Sequence, residues 1–140
     1  MGLKVCSLSS GSSGNVTYIG TDRTNVLVDA GLPAKYIIKA LKDINVSPCE
    51  LDAILVSHEH TDHIKGVGVL SRKFNIPIYA NEHTWEAMRS KLGNIKSNNM
   101  KVFYTDMDFY IKDINVQSFA IPHDAAEPVG FCFYYGGKKI

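Results

Sequence analysis

An apolar run followed at once by a histidine cluster constrains this sequence more than any other feature. Residues 51–57, LDAILVS, are largely apolar and are bounded by polar residues, a pattern that predicts a fully buried strand. Four side chains that can bind metals follow directly: His58, His60, Asp62 and His63. Active sites of α/β proteins gather at strand ends, so this strand end is the candidate site.

The spacing of the cluster restricts how its side chains can converge. Residues two apart on an extended chain point the same way, so His58 and His60 share a side and Glu59 faces away. Asp62 and His63 are neighbours, and both can reach one place only if the chain turns into a helix there. Asp62 would then lie near the helix start and could cap it. Imidazole and carboxylate are ligands of zinc, manganese and iron, which predicts a divalent-metal site. The alternative is a polar loop with histidines clustered by chance.

Strands and helices alternate along the 140 residues. Strands are predicted over residues 3–8, 16–20, 25–31, 51–57, 76–80, 101–104, 108–111, 114–121 and 129–136, with another beginning at 139–140. Helices are predicted from Pro33 to about residue 44, over 64–74, and from an Asn81 cap to about residue 91. The first three strands are expected to form an antiparallel meander. The length fits one domain, residues 1–140, and the element order indicates the α/β class with a mixed sheet.

Composition excludes some partners and locations. The net charge is +1, so no overall field favours nucleic acid or an anionic membrane. No apolar run is long enough for a signal peptide or a membrane span, so we expect no membrane association and a cytoplasmic location. The cysteines, Cys6, Cys49 and Cys132, are odd in number and widely spaced, which argues against a disulfide framework or a cysteine zinc cluster. Buried free thiols are expected instead.

Three segments resemble the metallo-β-lactamase superfamily. The segment HEHTDH matches its H-x-H-x-D-H signature, and NVLVDAG resembles the preceding strand and Asp-Gly turn, with Asp29 as the first-motif aspartate. The segment IPHDA resembles the third motif, with His123 as its histidine. The segments SLSSGSSGN and HDAAEPVG are similar to a bacterial subgroup, the YycJ/WalJ-type DNA 5′-to-3′ exonucleases. The resemblance implies an αββα sandwich.

That resemblance also implies two adjoining divalent metal ions, zinc or manganese foremost, with iron also suited. Three histidines would hold the first ion: His58, His60 and His123. Asp62 and His63 would hold part of the second. The superfamily completes the second site with a bridging aspartate and a further histidine, and no residue after His123 fits either role. We therefore expect an incomplete second site and only the N-terminal αβ half of the sandwich, with a mixed sheet.

Two aspartates and one loop are expected around the ligands. Asp29 is predicted to support a ligand from behind, although a simple turn residue before Gly31 is the alternative. Asp124 either supports His123 or belongs to a turn. The Ser/Gly loop is either a flexible turn or a phosphate cradle formed by backbone N–H groups; its residues are Ser9, Ser10, Gly11, Ser12, Ser13, Gly14 and Asn15. His83 is expected at the surface or satisfied locally, and residues 85–92 as a core stripe.

The function that these features predict is metal-dependent hydrolysis. In the leading hypothesis a metal-bound hydroxide, oriented by Asp62, attacks a phosphorus of DNA, so that the protein is an exonuclease or phosphodiesterase. A small-molecule hydrolase of the same superfamily, cleaving a thioester, lactone or β-lactam, is the second hypothesis. The third is an inactive metal-binding fragment that forms homo-oligomers through an exposed core face.

Overall fold

The computed structural model describes the backbone of residues 2–136 and 138–139 and the side chains of residues 2–136. Its strands are β1 Lys4–Ser9, β2 Val16–Gly20, β3 Asn25–Val28, β4 Ala53–Leu55, β5 Ile78–Ala80, β6 Met100–Val102, β7 Asp108–Ile111, β8 Ile114–Ala120, β9 Val129–Tyr135 and β10 Lys138–Lys139. Its α-helices are α1 Ala34–Asp43, α2 Thr61–Ile64, α3 Val67–Phe74 and α4 Glu82–Leu92. Short 3-10 helices cover Pro48–Glu50 and Ser97–Asn99. The predicted strand at 139–140 falls partly on β10, and Ile140 lies outside the described residues.

The strands form two sheets. The first has the order β1-β2-β3-β4-β5-β6 and is mixed, because β1, β2 and β3 are antiparallel and the following strands are parallel. The second has the order β10-β9-β8-β7 and is antiparallel. The meander and the mixed sheet are confirmed. Parallel strands end at one edge of a sheet, so the segments that follow β3 and β4 lie close together.

Two apolar clusters hold the layers together. Helices pack on one face of the first sheet, and the predicted stripe of α4 is part of that core: Trp85, Met88 and Leu92 are buried. The other face of the first sheet packs on the second sheet, through residues that include Val26, Leu55, Val116 and Phe133. Asn81 caps α4 as predicted, and its side chain accepts the Thr84 N–H.

The predicted helix over residues 64–74 is wrong in its continuity, since the chain forms α2 and α3 with a break between them. Gly66 lies against the segment after β3, where its N–H donates to the Ala30 carbonyl at 2.7 Å. A Cβ at Gly66 would overlap the Leu32 carbonyl oxygen. This tertiary contact replaces a helical hydrogen bond. The predicted cap is also wrong, because His60 occupies the N-cap of α2 and Asp62 lies in its first turn.

The second sheet changes what the chain exposes. The sequence predicted its strands but not their separation into another sheet that covers the first. On the described residues, the second sheet carries exposed Tyr110 and Phe119, at 68% and 42%. The formation of homo-oligomers through an exposed core face stays a prediction.

The cysteines are free as predicted, but none of the three is buried and Cys49 is exposed, so their expected burial is wrong. Within the part of the chain that is described, no helix is both long and apolar enough to cross a bilayer.

Asp113, in the turn between β7 and β8, fastens the second sheet to the β2–β3 turn. Its carboxylate accepts hydrogen bonds from Thr21 Oγ1 at 3.1 Å and from Thr24 Oγ1 at 2.5 Å. Both threonines are buried, at 6% and 0% exposure. Buried hydroxyls that lose their acceptor bear a desolvation cost, so this contact contributes to the docking of the two sheets.

We expect Asp113→Ala to lower the free energy of unfolding by about 2 kcal/mol, because the buried hydroxyls lose a charged acceptor. Urea denaturation followed by circular dichroism measures this. Asp43→Ala is the matched control, since it removes an exposed carboxylate from the end of α1 and should cost about 0.5 kcal/mol or less. Equal losses in the two variants would contradict the assigned role of Asp113.

Candidate metal centre

Three histidines that follow strands of the two different sheets converge at one edge of the molecule. His58 and His60 lie between β4 and α2, and His123 lies between β8 and β9. Ring centroids are 4.7 Å apart for His58 and His60, 4.4 Å for His58 and His123, and 5.0 Å for His60 and His123. One ring nitrogen of each lies within 4.8 Å of the others, which makes the trio a potential metal-binding group. The three residues that the sequence predicted for the first ion are therefore together.

His58 carries the strongest sign of a ligand. It is 3% exposed, and its Nδ1 lies 3.0 Å from Ser57 Oγ. Its Nε2 is buried and has no hydrogen-bond partner within the described part of the chain. Burial, followed by the charge of His63, lowers the pKa of His58 to about 4, so its imidazole is neutral near pH 7. A neutral imidazole whose buried nitrogen lacks a partner fits a bound metal ion, and these residues therefore suit one.

His60 is oriented by the loop that carries His123. Its Nε2 lies 2.5 Å from the carbonyl oxygen of Asp124. A carbonyl only accepts hydrogen bonds, so Nε2 carries the proton and Nδ1 is the atom that can bind an ion. Asp124 therefore contacts the cluster at His60 through its backbone, whereas the sequence left it either supporting His123 or lying in a turn. Its carboxylate is exposed.

His63 and Asp29 form a second part of the site. His63 Nδ1 is 2.7 Å from Asp29 Oδ2, and its Nε2 is 3.8 Å from Asp62 Oδ2. Burial lowers the pKa of His63, but the hydrogen bond and charge of Asp29 outweigh burial and raise that pKa above its ordinary value. The Asp29 bond fixes the proton on Nδ1 and leaves Nε2 as the atom that could bind an ion. Asp62 and His63 thus present an oxygen and a nitrogen on one side.

Asp29 is held by unusual backbone geometry and by Ser57. Its φ is 62°, a left-handed conformation that Asp adopts more readily than most residues. Its carboxylate accepts the Ser57 N–H at 2.8 Å and the Ser57 hydroxyl at 2.7 Å. The supporting position that the sequence predicted for Asp29 agrees with these contacts. Ser57 was not predicted, and its place directly before the histidine cluster was the available signal.

The Ser/Gly loop reaches the site through Asn15. The Asn15 N–H donates to the Asp62 carbonyl at 2.8 Å, and Asn15 Nδ2 is 3.2 Å from Asp62 Oδ2 and 3.3 Å from His63 Nε2. Several N–H groups of the loop donate within the protein, among them those of Gly11, Gly14 and Asn15. A phosphate cradle would have to use the others, and that role stays a prediction. The contact between Asn15 and Asp62 was not foreseen.

The fold and the site together place the chain in a family. Residues 10–140 match the Metallo-beta-lactamase superfamily, so the chain belongs to it. Among solved structures, a Cronobacter sakazakii metallo-β-lactamase HARLDQ-motif mutant superimposes with a TM-score of 0.81 at 14% identity. That similarity covers 96% of this chain and 57% of the other. At this identity the likeness concerns the fold alone, and the predicted fold class is confirmed.

Two curated relatives are much closer in sequence. Exodeoxyribonuclease YycJ of Bacillus anthracis is 45% identical over this whole chain, which corresponds to 53% of its own length. Exodeoxyribonuclease WalJ of Streptococcus pneumoniae is 46% identical, also over the whole chain and 53% of its length. The predicted resemblance to this subgroup is confirmed. The chain spans about half the length of these relatives.

Proposed function

We propose that this chain forms the metal-binding part of a metal-dependent DNA exonuclease that works in the 5′-to-3′ direction. The metal assignment rests on the buried Nε2 of His58, which belongs to a trio of histidines and has no hydrogen-bond partner among the described residues. DNA as the substrate rests on the relatives, which are named exodeoxyribonucleases. A cytoplasmic location is part of this proposal, because free cysteines fit a reducing compartment.

The donor set indicates which residues would hold ions. His58, His60 and His123 would bind the first, and Asp62 with His63 would contribute to the second. Bound zinc or manganese, with iron also compatible, supplies positive charge for a phosphoryl oxygen and activates water. Nothing in the donor set chooses among these metals.

The chain's own residues then have distinct tasks. Asp62 presents a carboxylate that can orient an attacking water and accept a hydrogen bond from it. Asp29 keeps the His63 imidazole in one tautomer, and Asn15 holds the Asp62 segment from the other side. Asp62 is therefore the residue in this chain that we assign to catalysis, and Asp29 and Asn15 act through it and through His63.

A metal-binding portion without activity of its own is the second candidate. The described residues offer Asp62 and His63 as donors for a second ion, and the chain spans about half the length of its relatives. A thioester, lactone or β-lactam substrate has less support than DNA, since the two relatives that match the whole chain are named exodeoxyribonucleases. In the second candidate an ion binds at the three histidines, but DNA is not cleaved.

The test is release of nucleotides from 5′-phosphorylated DNA with added manganese or zinc, by the chain and by Asp62→Ala. We expect cleavage, and at least about a hundredfold loss in Asp62→Ala, since even residues behind a ligand contribute ten- to hundredfold. Asp43→Ala, an exposed carboxylate at the end of α1, is the matched control and should keep full activity.

Three outcomes separate the candidates. Cleavage that survives Asp62→Ala would contradict the assigned role of that carboxylate. Stoichiometric metal binding without cleavage of DNA would establish the inactive metal-binding portion. Hydrolysis of a small thioester or lactone without DNA cleavage would overturn DNA as the substrate.

A further inference from the structure

The segment that carries His123 is a loop with few backbone hydrogen bonds between its own residues. Residues 121–128 join β8 to β9 and contain His123 near their start. Within the segment, Ile121 N–H donates to the Pro128 carbonyl and Ala125 N–H donates to the His123 carbonyl. These bonds close the loop but do not fix it against the rest of the site. We call residues 121–128 the His123 loop.

Glu59 connects this loop directly to the other histidines. It stands between His58 and His60 in the sequence. Its carboxylate oxygens lie 3.0 and 3.3 Å from the backbone nitrogen of Ala126, whose N–H they accept. A charged acceptor on a backbone N–H is stronger than a neutral one. One side chain therefore joins the two segments that supply the three histidines.

Glu127, the next residue of the loop, is anchored on the opposite side. Its carboxylate accepts the Thr105 hydroxyl at 2.6 Å and lies 2.8 Å from His83 Nδ1. Its carbonyl accepts Nδ2 of Asn81, the buried residue that caps α4, at 2.8 Å. Burial raises the pKa of Glu127, but the bonds from Thr105 and His83 outweigh burial and lower it, so Glu127 stays ionised near neutral pH.

We propose that Glu59 and Glu127 are positioning residues that clamp the His123 loop and hold His123 against His58 and His60. This inference rests on the proposed metal site and assigns no contact with the ion or the substrate to either residue. The neighbouring positions Ala126 and Glu127 are held from two directions, by Glu59 and by Thr105 with Asn81. A loop that is already ordered before the ion binds loses less conformational entropy on metal binding.

The first test uses the metal-free protein and amide hydrogen exchange at single residues. In Glu59→Ala we expect at least tenfold faster exchange at Ile121 and Ala125, because the whole loop loosens. Glu59→Gln keeps an acceptor for the Ala126 N–H and should restore most of the protection. Faster exchange at Ala126 alone would contradict the proposal, because it would report only the loss of the hydrogen bond from Ala126 to Glu59 and no loosening of the loop. This result does not depend on whether the chain is a nuclease.

The second test is zinc affinity by calorimetry, measured beside the thermal midpoint of each metal-free variant. We expect Glu59→Ala and Glu127→Ala each to weaken binding about tenfold, the lower end for residues behind metal ligands. The Gln variants should recover affinity, and Glu86→Ala on the exposed side of α4 should match wild type. Unchanged affinity with a lowered midpoint would show a purely structural role and overturn the proposal. Absence of zinc binding in wild type would instead contradict the proposed function, and the exchange test would still decide the clamp.

Discussion

His58→Ala is expected to weaken zinc binding at least about a hundredfold, because it removes a nitrogen that we propose as a ligand, and even residues behind ligands contribute ten- to hundredfold. Elemental analysis of the purified chain and calorimetry with added zinc measure this loss. The buried Nε2 of His58 has no protein partner among the described residues, so an ion would gain a ligand without breaking a hydrogen bond. The low pKa of His58 strengthens the expectation, since protons would not compete for that nitrogen until the pH falls to about 4.

Asn98→Ala is the matched control for this experiment. It removes an exposed polar side chain from the 3-10 helix Ser97–Asn99, which supplies none of the three clustered histidines. Zinc binding should therefore stay at the wild-type level. Equal metal content in wild type and His58→Ala would contradict the site. A folded His58→Ala spectrum by circular dichroism is needed to separate loss of a ligand from loss of the fold.

Gly31→Ala should be among the most damaging single substitutions in the chain. A Cβ at Gly31 would overlap the carbonyl oxygen of Asp62 and come within 2.8 Å of the Asn15 nitrogen. These backbone atoms are already tied together, since Gly31 N–H donates to the Asn15 carbonyl and Asn15 N–H donates to the Asp62 carbonyl. Three segments thus meet with no space for a methyl group. We expect a loss of about 3 kcal/mol or more in unfolding free energy, measured by urea denaturation.

The same substitution should also disturb the site. Any relaxation must move the Asp62 segment, so metal bound through Asp62 and His63 should be lost first. Gly2→Ala is the control, because a Cβ there has nothing within 4 Å, and it should cost about 0.5 kcal/mol or less. If Gly31→Ala were as stable as Gly2→Ala, the close packing of these three segments would be refuted.

Local spacing made part of the site predictable. The two-residue period of an extended chain placed His58 and His60 together, and the predicted turn into a helix brought Asp62 and His63 to the same edge. His123 could be assigned only through the resemblance to a family. Its position depends on how the second sheet packs on the first, and no local pattern specifies that packing.

The features that sequence reasoning missed are tertiary. Asn15 meets Asp62 across 47 positions of the chain, and Gly66 interrupts a predicted helix because the segment after β3 takes over its N–H. The left-handed backbone of Asp29 is likewise imposed by its surroundings, through the bonds to Ser57 and His63. Periodicity reports which face of an element is buried, and it contains no information about these contacts.

The division of the three histidines between the sheets has a thermodynamic consequence. His58 and His60 follow a strand of the first sheet and His123 follows a strand of the second, so one ion bound by all three would cross-link the layers. Ligands that bind only the folded state raise apparent stability with the logarithm of their free concentration. The free zinc or manganese level of the cell would then govern how long the polypeptide survives proteolysis. Metal starvation would then shorten the lifetime of the folded polypeptide.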